Sequence, residues 1–143
     1  MTAGKRSGTE VFNDNILRLN LVCNSLDAFM RRRGSAARSG KEAGQIAAFL
    51  VEELPTVLDD QFRIIQRHLR RSGGSPSNET SLNLIEEDHV RLLRLAMQAA
   101  DRLRPVSKRA QVPVDDDLRG KVSRYTAAQR HYLASIATIL KDD

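Results

Sequence analysis

Tryptophan is absent from this chain of 143 residues, and aromatic side chains make up only 4% of it. A core built without large rings must be filled by Leu, Ile, Val and Ala, a composition that suits helices better than sheets. Cysteine is almost absent as well. The single residue, Cys23, excludes an internal disulfide framework and fits a reducing compartment. Set among apolar neighbours, it reads as a packing residue rather than a redox group. No apolar run approaches the roughly 20 residues that cross a bilayer, and the opening MTAGKRSGTE lacks the character of a signal peptide. No membrane association and a cytoplasmic location are therefore expected.

Hydrophobic residues at 41% and charged residues at 29% are ordinary for a soluble domain, and the length suits one core without metal or disulfide support. A net charge of +5 and a pI of 9.9 permit an acidic partner without specifying one.

Residues 1–10, rich in Gly, Ser and Thr, read as a disordered tail, leaving 11–143 for the folded domain. The first helix is expected from Val11 to Arg33. Its inward stripe is Phe12, Ile16, Leu19, Cys23, Leu26 and Met30, with Val22 and Phe29 on the shoulder and Gly34 as the stop. A second helix runs from Glu42 to Arg71, kinked but not ended by Pro55, because apolar periodicity stays in phase on both sides. SGGSPSNET, residues 72–80, is a turn-forming break. The third helix, Ser81 to Arg104, carries Leu82, Ile85, His89, Leu92, Ala96, Ala100 and Leu103 on one narrow stripe. A histidine stands there where leucine is usual. After a loop bracketed by Pro105 and Pro113, Asp115, Asp116 and Asp117 open the fourth helix, where anions suit the positive end of the dipole. Its stripe is Leu118, Val122, Tyr125, Gln129, Tyr132, Ile136 and Ile139 or Leu140. His131 falls about 150° away and should face solvent.

Four amphipathic helices with short connections predict an all-α, up-down-up-down antiparallel four-helix bundle. Projecting the stripes into it brings Gln61, His89, Gln129 and Tyr132 to the middle, while the first helix offers only apolar groups. Buried polar groups need partners, so a small internal network joining these four is expected, for example His89 to Tyr132 or Gln61.

Four passages carry a family likeness. FLVEELPTVLDDQF resembles the second helix of the bacterial hemerythrin-like (HHE cation-binding) family, in which E-L-P precedes a ligating H-x-x-x-E. LIEEDHVRLLRL resembles its third helix, where an acidic residue is followed by a ligating His. YTAAQRHYLASI resembles its fourth, where an aromatic is followed seven residues later by a His and four further on by Glu. LRLNLVCNSL is similar to its first, whose ligating His lies seven residues before a Cys. The resemblance implies the hemerythrin bundle. Carried over residue by residue, the ligand positions fall on Ile16, Val57, Gln61, His89, Tyr132 and Ile136, so His89 alone retains a ligand side chain. Sliding the fourth helix to recover His131 puts Ser135 at the Glu position and turns both off the apolar face. A di-iron centre needs several carboxylates and imidazoles from facing helices. No cofactor is expected, the alternative being a single metal ion at His89.

A histidine phosphotransfer bundle would present an exposed His near a Lys, which His89, followed by Val90 and Arg91, does not match. GSAARSGK follows a helix and lacks Walker spacing. Arg31, Arg32, Arg33, Arg38 and Lys41 should share one end of the bundle with Arg102, Arg104, Lys108 and Arg109. Without aromatic interleaving or a nucleic-acid motif, a protein partner is preferred at that basic end. The expected function is a non-catalytic binding or regulatory module with a degenerate di-iron site. The alternatives are a residual cation-binding protein and a small enzyme using His89 and Tyr132 as an acid–base pair. Nothing in the sequence sets an oligomeric state.

Overall fold

The computed structural model describes residues 7–31, 40–71, 73, 76–106 and 115–141. Within them the chain is helical, with no strand, and forms four rods. The first is α1, Gly8–Arg31. The second is continuous from α2, Gly40–Ala48, through a π-helical turn at Phe49–Glu53, into α3, Leu54–Arg71. The third is α4, Pro76–Leu103, closed by a 3₁₀ turn at Arg104–Val106, and the fourth is α5, Asp116–Lys141. Each rod packs on its chain neighbours and α1 also packs on α5, so the four surround one core, with α1 and α4 on a diagonal. No helix among the described residues is long and apolar enough to cross a membrane.

Several boundaries differ from expectation for local reasons. The expected tail is already helical at Gly8, because Ser7 caps α1: its Oγ accepts the Glu10 N–H at 3.1 Å. Ser7-Gly8-Thr9-Glu10 is a capping-box sequence. Likewise α4 begins at Pro76 rather than Ser81, proline suiting the first helical position. Asn78 Nδ2 then reaches back 3.1 Å to the Leu69 carbonyl, satisfying an acceptor that the end of α3 leaves open. Gly73, at φ 102°, supplies the left-handed residue between the two helices.

Pro55 does not end the second rod. A proline removes one backbone donor and crowds the preceding turn. The widened turn before it, with the Leu54 N–H bonded to the Phe49 carbonyl five residues back, takes up that misfit. At the start of α5, Asp115 Oδ1 accepts the Leu118 N–H at 2.8 Å, and this bond is the main reason its carboxyl is held below the usual carboxylate range.

The α1 stripe is rotated from the expected one. Phe12, Leu19, Cys23 and Leu26 are buried as expected and are joined by Asn15, Val22 and Phe29, while Ile16 and Met30 only flank the core. The shoulder residues Val22 and Phe29 thus lie at its centre. Each fully buried Leu or Phe contributes about 1.5–3 kcal/mol. The α5 stripe agrees with expectation at Leu118, Val122, Tyr125, Gln129, Tyr132 and Ile136; the side chains of Ile139 and Leu140 lie outside the described residues.

Candidate functional site

The expected four-residue network is split. Its two parts lie on different rods and obey different hydrogen-bonding arithmetic. The first part is closed. Asn15 Nδ2 donates to Gln61 Oε1 at 2.9 Å, and Gln61 Nε2 donates to the Phe12 carbonyl at 3.3 Å. Both side chains are buried. The first helix is therefore not purely apolar on its inner face, as its sequence stripe suggested. Asn15 occupies a heptad position between Phe12 and Leu19, and that heptad was the available signal for it. A buried amide pair of this kind repays its desolvation only while both members are present.

The second part is open. Tyr125 donates its hydroxyl proton to Gln129 Oε1 at 3.0 Å, one turn along α5. Gln129 Nε2 and the Tyr132 hydroxyl are buried without a hydrogen-bond partner. Burial pushes the ionisation of Tyr132 upward, and the charge of Asp88 adds to it. Burial likewise drives Tyr125 well above its ordinary value, with Cys23 adding to the rise. Neither phenol is disposed to lose a proton near neutrality.

His89 belongs to neither part. It is half-buried on α4, and among the described residues no hydrogen bond joins it to Gln61, Gln129 or Tyr132. Burial lowers its pKa from 6.5, opposed by the charges of Asp59 and Glu86, so the neutral imidazole is favoured at pH 7. The expected hydrogen-bonded core histidine is thus a flank residue with two acidic neighbours.

At the remaining positions implied by the hemerythrin resemblance, Val57 and Ile136 are buried in the hydrocarbon core and Ile16 packs at its edge. None offers a lone pair. Gln61 is committed to Asn15 and Phe12. Among the described residues no cluster of three His, Cys, Asp or Glu side chains could hold a metal ion. The residues present do not fit a di-iron centre.

Cys23 is buried, and loss of water pushes its thiol up to about 11, with Arg130 opposing and Asp27 reinforcing the rise. His131 faces solvent, as expected from its angle on α5, and lines a groove with Asp88, Arg91 and Arg124. His89 and Tyr132 line none of the five grooves described on the surface.

At the basic end, Arg31, Lys41 and Arg104 are exposed. Arg31 lies 3.9 Å from Asp27, which also accepts a hydrogen bond from Arg130. Arg102 is turned inward to the acidic start of α5. Its Nη2 donates to Asp115 at 3.1 Å, and its Nε contacts Asp117 at 2.8 Å without hydrogen-bond alignment. Arg102 therefore ties α4 to α5. Arg32, Arg33, Arg38, Lys108 and Arg109 lie outside the described residues.

No protein-family model matches this chain, and no curated protein and no solved structure matches it.

Proposed function

We propose that the chain is a hemerythrin-like, up-down-up-down bundle whose metal-ligand positions have been converted to structural ones, acting as a non-catalytic binding or regulatory module in the cytoplasm. The fate of Gln61 carries this reading. At the position the resemblance gives to a ligating carboxylate stands a neutral amide, engaged with Asn15 and a main-chain carbonyl. Val57 and Ile136 fill two further positions with hydrocarbon. A protein partner would be met at the basic end, where Arg31, Lys41 and Arg104 are exposed and the sequence adds Arg32, Arg33 and Arg38. Arg102 serves the α4–α5 connection instead.

A second reading, a single bound cation, would rest on the charges of Asp59 and Glu86 that act on His89, although these side chains do not form a three-residue cluster able to hold a metal ion. Against it, Asp59 is already paired with Arg63 at 3.1 Å. An acid–base role for His89 with Tyr132 draws no comparable support, since the two share no hydrogen bond and no described groove.

Metal analysis of protein expressed with iron supplementation, with its near-ultraviolet and visible spectrum, tests the proposal. The expected result is no stoichiometric metal and no oxo-bridge absorption. About two irons per chain would overturn it, and one metal lost in His89→Ala would establish the cation-binding reading instead.

A further inference from the structure

The surface seam between α4 and α5 changes character along its length. At one end it is closed by charge: Arg102 contacts Asp115 and Asp117, and Asp117 also holds Lys121 at 3.3 Å. The Arg102–Asp117 contact fixes the register of the two helices. Carried along both, it sets Leu95 opposite Arg124, Leu92 opposite Ala127 and Arg91 opposite Ala128. These residues line one groove of about 430 Å³, so the same register holds there. Two arginines thus face hydrocarbon on a seam that elsewhere pairs a cation with an acid.

Neither guanidinium has a partner among the described residues. One turn from Arg124 on α5 stand Gly120, Lys121, Ala127 and Ala128, with no acid among them. Arg91 has Glu87 and Asp88 one turn back, yet no ion pair or hydrogen bond joins it to either. Both arginines are exposed, which by itself is ordinary. Their setting is not. They rise from opposite walls over a floor in which Leu92 is buried and Leu95 and Ala128 are half-buried. The two alanines leave open the space that longer side chains would fill.

We propose that this groove binds a small organic phosphate, its phosphoryl group held between Arg91 and Arg124 and its apolar body laid over Leu92, Leu95 and Ala127. A guanidinium presents paired N–H donors that match phosphate oxygens. Two guanidiniums on facing walls suit the near-dianion of a phosphate ester at neutral pH better than the single charge of a carboxylate. Asp88 is the one acid lining the groove. It stands opposite His131, at the end away from Arg124, so its charge opposes an anion near Arg91 and biases it toward Arg124. The groove shares no residue with the basic end or with the positions compared with the hemerythrin ligands, and the proposal is independent of both.

Heteronuclear NMR titration of the full chain with phenyl phosphate tests the proposal. Saturable shifts are expected for the amides around Arg91 and Arg124, with a dissociation constant in the millimolar range or tighter. Arg91→Gln and Arg124→Gln should each weaken binding about tenfold. Arg94→Gln, at an exposed position of α4 outside the groove, should leave it nearly unchanged. Asp88→Asn should tighten binding a few-fold by removing the opposing charge, a gain that damage to the fold does not imitate. Inorganic phosphate should bind several-fold more weakly for want of an apolar body, and benzoate for want of charge. Ala127→Leu, at an exposed position, should weaken phenyl phosphate and spare inorganic phosphate. Titration without saturation, or binding indifferent to both Arg91→Gln and Arg124→Gln, would overturn the proposal. Inorganic phosphate or benzoate binding as tightly as phenyl phosphate would overturn the assignment to an organic phosphate. A phosphotyrosine peptide binding far more tightly would give the groove to a phosphorylated protein segment and equally overturn it.

Discussion

Where α1 meets α3, Asn15 and Gln61 satisfy each other inside the core; on α5, Gln129 Nε2 and the Tyr132 hydroxyl are equally buried and have no partner. The two inclusions lie in one interior, so depth does not separate them. What differs is whether the facing rod supplies a complementary group. Asn15 does so for Gln61. For Tyr132 the core offers hydrocarbon, and half-buried His89 does not reach it. A buried hydrogen bond contributes about 1 kcal/mol net, whereas an orphaned buried group costs about 1–3. The first inclusion therefore supports the fold and the second is carried by it.

That contrast can be broken at either end. The largest effect is expected from Gln61→Ala, which opens a cavity and strands Asn15 Nδ2. It should cost about 2–4 kcal/mol, read by urea denaturation with an unchanged m-value. A pH effect comes next. The folded-state pKa of His89 lies below 6.5, so the unfolded chain binds protons more readily. Stability contributed by the neutral imidazole is complete above pH 6.5 and is lost as pH falls through 6.5 toward the folded value. Denaturation midpoints of the native chain should fall more steeply over that window than those of His89→Gln; parallel curves would show that burial does not disfavour the charged ring. The smallest effect is expected at Tyr132→Phe. It removes a hydroxyl without a partner, so stability should stay within about 0.5 kcal/mol or rise slightly. A marked loss there would show that the hydroxyl is satisfied in solution and that the second inclusion is closed after all.

The legible part of the molecule is the part set by periodicity. Apolar spacing located all four rods, and the α5 stripe from Leu118 to Ile136 agrees residue by residue. Helix starts were readable only through capping chemistry. Ser7 with Glu10 and Pro76 with Asn78 look like loop composition until their caps are recognised. The interior network was harder, because a stripe gives an angle on one helix and not the depth or partner on the next. On α1 a shift of one position in the stripe exchanges Ile16 for Asn15 and hides the residue that decides what Gln61 does. On α4, His89 has the right angle but lies toward the edge of the core. Pro55 suggested a kink, and the structure shows a π turn before it.

The account rests on the Asn15–Gln61 pair being structural at a position where the hemerythrin-like resemblance places a ligand. A double-mutant cycle of Asn15→Leu and Gln61→Leu, followed by chemical denaturation, addresses this directly. If the pair serves the fold, each single variant loses about 1–3 kcal/mol and the double variant loses less than their sum, because no orphaned amide remains. If either single substitution instead stabilises the protein, the polar pair is being held against the fold for some other purpose, and the reading of a site converted to structure is contradicted.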